Sequence, residues 1–585
     1  MSSYLATEIG TVRKKWTDRL PVALIYPNTY PVAVSNLGFQ LVYSLLNEQD
    51  TLVCERFVYP SAGEPLRSLE SNRPLTDFPL VLGSISFEED YPRLAALLAA
   101  GGVAPVAATR GVEVGNGSPL VILGGVAVFM NPEPLAPFAD LIVIGEAEPV
   151  LAELMHALVS LLARDASRLE IVRHVAASIA ACYAPALYSF RFAPDGRVLA
   201  IDHEPCAPAR VRRSVVSEGA AAAHSQLLSP DAELGMFMTE LGRGCGRGCR
   251  FCAAGFIYRP PRLWKEDQVL GGLQARPDGF SRIGLLGMEM AEARVLDRIA
   301  EYLSENSCQL SFSSLRADRI SSTLLDLLAA SRLKSAAIAP DGASQRLRRV
   351  INKGLDEDDL IGAGVSLVAA GIVNLKLYVM IGLPTETNED LAELAALVRR
   401  LQREILPIGR QRGRVSELTL SVNSFVPKPW TPFQYLPFGG LSPEAAARCR
   451  DEKKAVLALK EKIKYLRESL TGVANLRIKV DRPERALQQA VLARGDRRLG
   501  PVLLDMAVQG LSMNSALRRH GLGAWEYAVR PRDEEELFPW EVIDHGITRD
   551  FLWREYCRGM AGRKTAPCDT ARCRRCGACD EKDSA

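Results

Sequence analysis

Histidine is scarce in this chain: there are six, and none precedes His156. No imidazole from the opening 155 residues can therefore bind a metal or move a proton. Long apolar runs are missing as well. No stretch reaches the ~18 uninterrupted apolar residues of a membrane span. The opening MSSYLATEIGTVRKKW has no apolar core of a secretory signal. No membrane partner and a cytoplasmic location are the expectations. Nor is there an excess of one charge: 71 Lys and Arg face 69 Asp and Glu, a net charge of +2. That balance removes any global electrostatic case for nucleic acid or an anionic surface, so partners have to be sought locally.

What is present is a globular composition, 48% hydrophobic and 24% charged over 585 residues. On ordinary domain sizes that length suggests roughly three or four domains. Thirteen cysteines are distributed unevenly, with seven packed into two clusters at 245–252 and 568–579. In a reducing compartment such clustering points to metal rather than disulfides. The other six stand singly and read as small buried hydrophobes.

The first cluster organises the chain. Cys245, Cys249 and Cys252 are spaced C-x3-C-x2-C within Gly-Arg-Gly-Cys-Gly-Arg-Gly-Cys-Arg-Phe-Cys. Thiolates hold iron–sulfur clusters, and three of them on a four-iron core leave one iron open. A zinc site completed by a remote ligand is the other reading of the same residues. With Phe251 as the aromatic before the last cysteine, the stretch resembles the signature of radical S-adenosylmethionine (SAM) enzymes. The resemblance implies a 4Fe-4S cluster whose open iron chelates SAM, reductive cleavage to a 5′-deoxyadenosyl radical, and an electron donor such as flavodoxin or ferredoxin.

Before this loop, apolar runs at 22–27, 52–58, 80–86, 120–123 and 141–144 alternate with helix-like stretches such as 37–46 and 91–100. That order predicts an α/β fold, a doubly wound, Rossmann-like parallel sheet over residues 1–160. Ligands of such sheets bind at the carboxyl ends of the strands. There lie Thr29, Ser84, Ser86, Gly124, Gly125, Gly145 and Glu146, each also explicable as turn chemistry. Together they resemble the cobalamin-binding domain that precedes many radical SAM cores. The resemblance implies bound cobalamin, but no D-x-H-x-x-G follows the first strand, so the usual histidine under cobalt is missing. Cobalamin would be held without it, or the domain serves another ligand. Residues 161–235 read as a connecting segment, a helix and an extended excursion, with Arg210-Val211-Arg212-Arg213 as a solvated basic loop.

From 236 to 438, apolar strands at 283–286, 309–312, 335–338, 375–381 and 418–422 alternate with amphipathic helices, which predicts a partial (β/α)6 barrel. Its strand ends carry Gly287-Met288-Glu289, where the family usually shows Gly-Gly-Glu-Pro for the amino group of SAM. Ser313 and Arg316 suit its carboxylate, Asp341 its ribose, and Ile381 with Gly382 resembles the adenine side. Residues 424–434, rich in proline and aromatics, read as a stiff closing wall.

The remainder, 439–585, reads as mainly helical, with one long helix over 444–469. It ends in Cys568, Cys573, Cys576 and Cys579, four thiols that suit either a second 4Fe-4S cluster or zinc. The first functional expectation is a radical SAM enzyme, an oxidoreductase or cobalamin-dependent methyltransferase, on a small or macromolecular substrate. A tRNA- or rRNA-modifying enzyme, with RNA as partner, is the second. A non-catalytic electron-transfer or cobalamin-carrying protein is the third, and Phe251 with Glu289 argues against it.

Overall fold

The computed structural model describes residues 3–61, 63–289, 291–312 and 314–579. They form two compact units: 1–235 with 491–526 and 535–545, and 236–490 with 527–534 and 546–585.

The first unit is built on a six-stranded sheet. Leu20–Tyr26 lies between Leu52–Val58 and Leu80–Ser84, followed outward by Leu120–Gly124, Leu141–Val143 and the edge strand Cys182–Tyr183. The first five strands are parallel and the edge strand is antiparallel. Every residue of Leu52–Val58 is buried, as expected of a strand covered on both faces. The helices Leu37–Glu48 and Tyr91–Ala100 follow the expected stretches. Asn36 caps the first, accepting the Phe39 N–H at 2.9 Å. The chain order reverses on either side of Leu20–Tyr26, so the topological switch point falls at the carboxyl ends of the first and third strands.

Two expectations are corrected here. Arg210–Arg213 is no solvated loop: Val211-Arg212 pairs as a strand with Ile543-Asp544, and Arg210 donates to the Glu541 and Ile543 carbonyls at 3.0 and 2.9 Å. The residues beyond 439 do not form a domain of their own either. Leu499–Gln509 packs on Tyr91–Ala100, and Arg497 reaches Glu133 at 2.8 Å and the Tyr183 hydroxyl at 2.9 Å. Apolar helix faces such as this one need a partner, and the first unit supplies it.

The second unit holds two parallel ladders: Phe237–Glu240, Arg282–Leu286 and Gln309–Ser311, then Ser335–Asp341, Asn374–Ile381, Glu417–Ser424 and Leu476–Val480. A single parallel bridge, Leu315 to Ile338, joins them. Six of these strands make the expected partial barrel. The seventh, Leu-Arg-Ile-Lys-Val at 476–480, lies where only helix was expected, and its period-two alternation is visible in retrospect. The long helix expected over 444–469 is two, Pro443–Arg448 and Glu452–Ser469, the second capped by Asp451. No helix of the described residues is long and apolar enough to cross a membrane.

Candidate functional site

The cysteine loop leaves the carboxyl end of Phe237–Glu240. Its path requires glycine at 244, where φ is +83° and a Cβ would lie 2.6 Å from the Tyr258 carbonyl oxygen. Two buried side chains hold the loop from outside. Arg250, between the second and third cysteines, donates to the carbonyls of Arg349, Val350 and Arg563 and to Glu555 and Thr565, at 2.8–3.3 Å. Asn352 donates to the Arg247 and Gly248 carbonyls at 3.2 Å and accepts the Thr565 N–H at 2.9 Å. Neither residue is signalled by the cysteine spacing.

The three thiols are electrostatic neighbours, and burial pushes Cys245 and Cys249 up to about 11 and raises Cys252. Among the described residues, no three Cys, His, Asp or Glu side chains converge on an ion-sized point. The loop thus gathers protonated thiols that a cluster would have to deprotonate and draw together, the usual coupling of metal binding to proton release. A donor set of thiols alone, in a glycine-rich loop, fits iron–sulfur chemistry.

The carboxyl ends of the neighbouring strands bring charged groups to this loop. Glu289 accepts the Gly246 N–H at 3.2 Å and pairs with Arg247 at 2.9 Å. Arg316 is 2.7 Å from Asp318 and donates to the Lys353 carbonyl at 2.8 Å. Asp341 meets the Lys353 ammonium at 2.5 Å. Burial raises the Asp341 carboxyl, with Lys353 and Arg316 pulling against it. Burial also works against the Lys353 ammonium, but Asp341 overrides it and lifts its pKa. Lys353 is the residue sequence reasoning missed: it follows a short helix with no spacing to mark it. Phe251 is half-buried and Met288 is exposed, whereas Ser313 lies outside the described residues. Gly287 packs on Leu241. Ile381 is fully buried, and Gly382 gives its N–H to Glu386 at 2.9 Å and faces Gly439 and Gly440. Its φ of +77° and the Leu459 side chain, 2.6 Å from where a Cβ would lie, account for that glycine. The closing wall is buried too, with Tyr435 edge-on to Trp553.

In the first unit the candidate residues divide. Thr29, Ser84 and Ser86 lie at the switch in strand order, where Asn36 donates to Ser86 at 3.1 Å and Asn28 to Asp90 at 3.4 Å. Asp90 is 1% exposed, and its Oδ2 has no hydrogen-bond partner. Gly124 is open. Gly125 and Gly145, both at positive φ, are explained by close backbone, since a Cβ would meet Ile85 O and Ser214 O at 2.4 Å. Glu146 is likewise engaged, accepting the Val216 N–H. One histidine does enter this neighbourhood from far along the chain: buried His545 donates through Nε2 to the Phe129 carbonyl at 2.8 Å.

Burial raises the Asp90 carboxyl to about 6. The folded chain then holds that proton more tightly than the unfolded chain, so the contribution is present below about pH 4 and is lost as pH rises through about 6. The expected cost at neutral pH is about 2 to 3 kcal/mol. Denaturant midpoints of Asp90→Asn should lose this pH dependence and exceed wild type above pH 7. An unchanged slope would place the titration elsewhere.

Residues 239–398 match the family described as the Radical SAM superfamily, and residues 38–185 match that described as Radical SAM proteins, N-terminal. An uncharacterised protein of Methanocaldococcus jannaschii is 26% identical over 506 residues, covering 86% of this chain and 94% of the relative. Among solved structures, the radical SAM methyltransferase TsrM from Kitasatospora setae, with cobalamin and a [4Fe-4S] cluster bound, gives a TM-score of 0.49 at 14% identity, covering 86% of this chain and 99% of that one. The cobalamin-dependent SAM radical enzyme OxsB, with aqua-cobalamin and SAM bound, gives 0.47 at 13% identity, covering 93% and 80%.

Proposed function

This chain is an enzyme carrying a radical SAM domain at residues 239–398, and from that premise we propose that it cleaves SAM reductively at the Cys245–Cys249–Cys252 loop to activate a carbon of its substrate for methylation. The observation that carries this reading is the ring of charged groups around the thiols, Glu289 near Cys245 and Asp341 with Lys353 near Cys249 and Cys252. A cluster held by Cys245, Cys249 and Cys252 would supply the single electron that reductive cleavage of the SAM sulfonium needs. The residues here do the holding. Glu289 accepts from the SAM ammonium once Arg247 turns aside, Arg316 or Lys353 receives its carboxylate, and Asp341 accepts from a ribose hydroxyl.

The methylation half of the proposal rests on the first unit. The switch point beside Thr29, Ser84 and Ser86 offers the orphaned Asp90 oxygen as an acceptor for amide N–H groups such as those rimming a corrin. Gly145 and Glu146 are already engaged by residues 214–216. Cobalamin would supply a transferable methyl group, and no histidine of the opening 155 residues can ligate its cobalt.

The test is anaerobic incubation with hydroxocobalamin, desalting, and absorbance and electron paramagnetic resonance of the reduced cobalt, alongside 5′-deoxyadenosine analysis. Stoichiometric retention without nitrogen splitting is expected. Nitrogen splitting would mean an axial nitrogen on cobalt, from the corrinoid's own dimethylbenzimidazole or from a late histidine, and would overturn the ligand-free cobalt face. No retention would sink the methylation half and leave SAM cleavage standing.

A further inference from the structure

Four thiols at the carboxyl terminus play no part in the reading so far, and the fold sets them against the radical loop. The Cys568 N–H donates to the Gly246 carbonyl at 2.7 Å, and a Cβ on Gly246 would lie 3.1 Å from the Cys568 carbonyl oxygen. Gly246 is next to Cys245 in sequence. One peptide unit and one hydrogen bond thus connect a ligand of the first loop to a ligand of the second.

The tail is folded, not trailing. Asp569 O accepts the Cys573 N–H at 2.7 Å, and Thr548 donates to the Cys576 carbonyl at 3.0 Å. Gly577, at φ +93°, fits where a Cβ would lie 2.9 Å from Gly546 O. Cys576 and Cys579 are each 3% exposed, and Cys568 and Cys573 line a small cleft with Arg259 and Arg575.

We propose that Cys568, Cys573, Cys576 and Cys579 hold a second 4Fe-4S cluster that relays electrons from an acidic one-electron carrier protein to the cluster of the radical loop. This rests on the reading of the first loop as a SAM-cleaving site. Three observations favour a redox centre over structural zinc. The tail abuts the loop proposed above to consume electrons. Arg575 donates to Cys573 Sγ at 3.2 Å, the kind of hydrogen bond to sulfur that tunes cluster potential. Arg572 and Arg574 are exposed beside the ligands and give an acidic carrier a face to approach.

The step is a pure electron transfer. A reduced flavodoxin- or ferredoxin-type carrier loses one electron, the tail cluster goes from 2+ to 1+, and it returns to 2+ as the first cluster is reduced. No bond or proton changes place.

The experiment uses the full chain, reconstituted anaerobically, as wild type, Cys573→Ala/Cys576→Ala and Arg572→Glu/Arg574→Glu. Iron, sulfide and zinc are counted. 5′-Deoxyadenosine formation is driven by reduced flavodoxin or by titanium(III) citrate, which bypasses a relay. Wild type should hold about eight iron and no zinc, and the cysteine variant about four. Flavodoxin-driven turnover should fall at least tenfold in the cysteine variant and recover with titanium citrate. The arginine variant should keep its iron and slow only with flavodoxin.

Zinc in the wild-type tail, undiminished flavodoxin-driven turnover in the cysteine variant, or loss of both clusters from it would each overturn the relay. Wild type that fails to cleave SAM even with titanium citrate would overturn the radical reading, and the relay with it.

Discussion

Replacing Cys245, Cys249 or Cys252 with alanine is expected to bring 5′-deoxyadenosine formation below ~1% of wild type, whichever reductant is used. Loss of a partner that merely orients a metal ligand costs about 10- to 100-fold. Loss of a ligand itself should cost more. The three thiols are neighbours in one loop, and any two of them leave a second iron uncoordinated. Iron should fall by about four per chain. The measurement is chromatography of 5′-deoxyadenosine after anaerobic reconstitution, with iron and sulfide counted on the same sample. One variant that keeps a tenth of the activity would show that some other residue ligates the cluster.

This loop could be read from the sequence because its chemistry is local. Three thiols, an aromatic and the glycines that let the backbone turn lie within eleven residues. The parallel sheet was legible for a related reason: buried strands such as Leu120–Gly124 are short apolar runs between turns. What holds the loop was not legible. Arg250 meets Glu555 and Thr565, and Asn352 meets Gly248 and Thr565. No period or spacing connects partners so far apart in the chain. The same limit explains the return of 491–526 and 535–545 to the first unit. It also explains Gly125 and Gly145, whose glycines answer to close backbone from Ile85 and Ser214. From the sequence, a glycine at a strand end looks alike whether it faces a ligand or another chain segment.

Arg250→Ala is expected to destabilise the second unit by about 3 to 5 kcal/mol and to strip iron from the first loop. The guanidinium is fully buried, and the Glu555 side chain it meets is 8% exposed. Glu555 keeps two other partners, Thr565 at 2.8 Å and the half-exposed Arg558 at 3.6 Å. These soften the loss toward the lower figure. Removing the arginine also leaves the carbonyls of Arg349, Val350 and Arg563 without a buried donor. Because Arg250 stands between Cys249 and Cys252, the loop itself should loosen.

The Arg250→Lys variant keeps the charge but cannot span acceptors on three segments, so it should recover less than half the loss. A double variant, Arg250→Met with Glu555→Leu, removes both charges. It should be more stable than Arg250→Ala, since an unpaired buried carboxylate costs more than a missing pair. Denaturant midpoints and iron content of these proteins, and of Arg250→Met and Glu555→Leu made singly, decide it. If the double variant is as unstable as the sum of its single changes, Arg250 acts through its backbone carbonyl contacts and the ion pair is incidental.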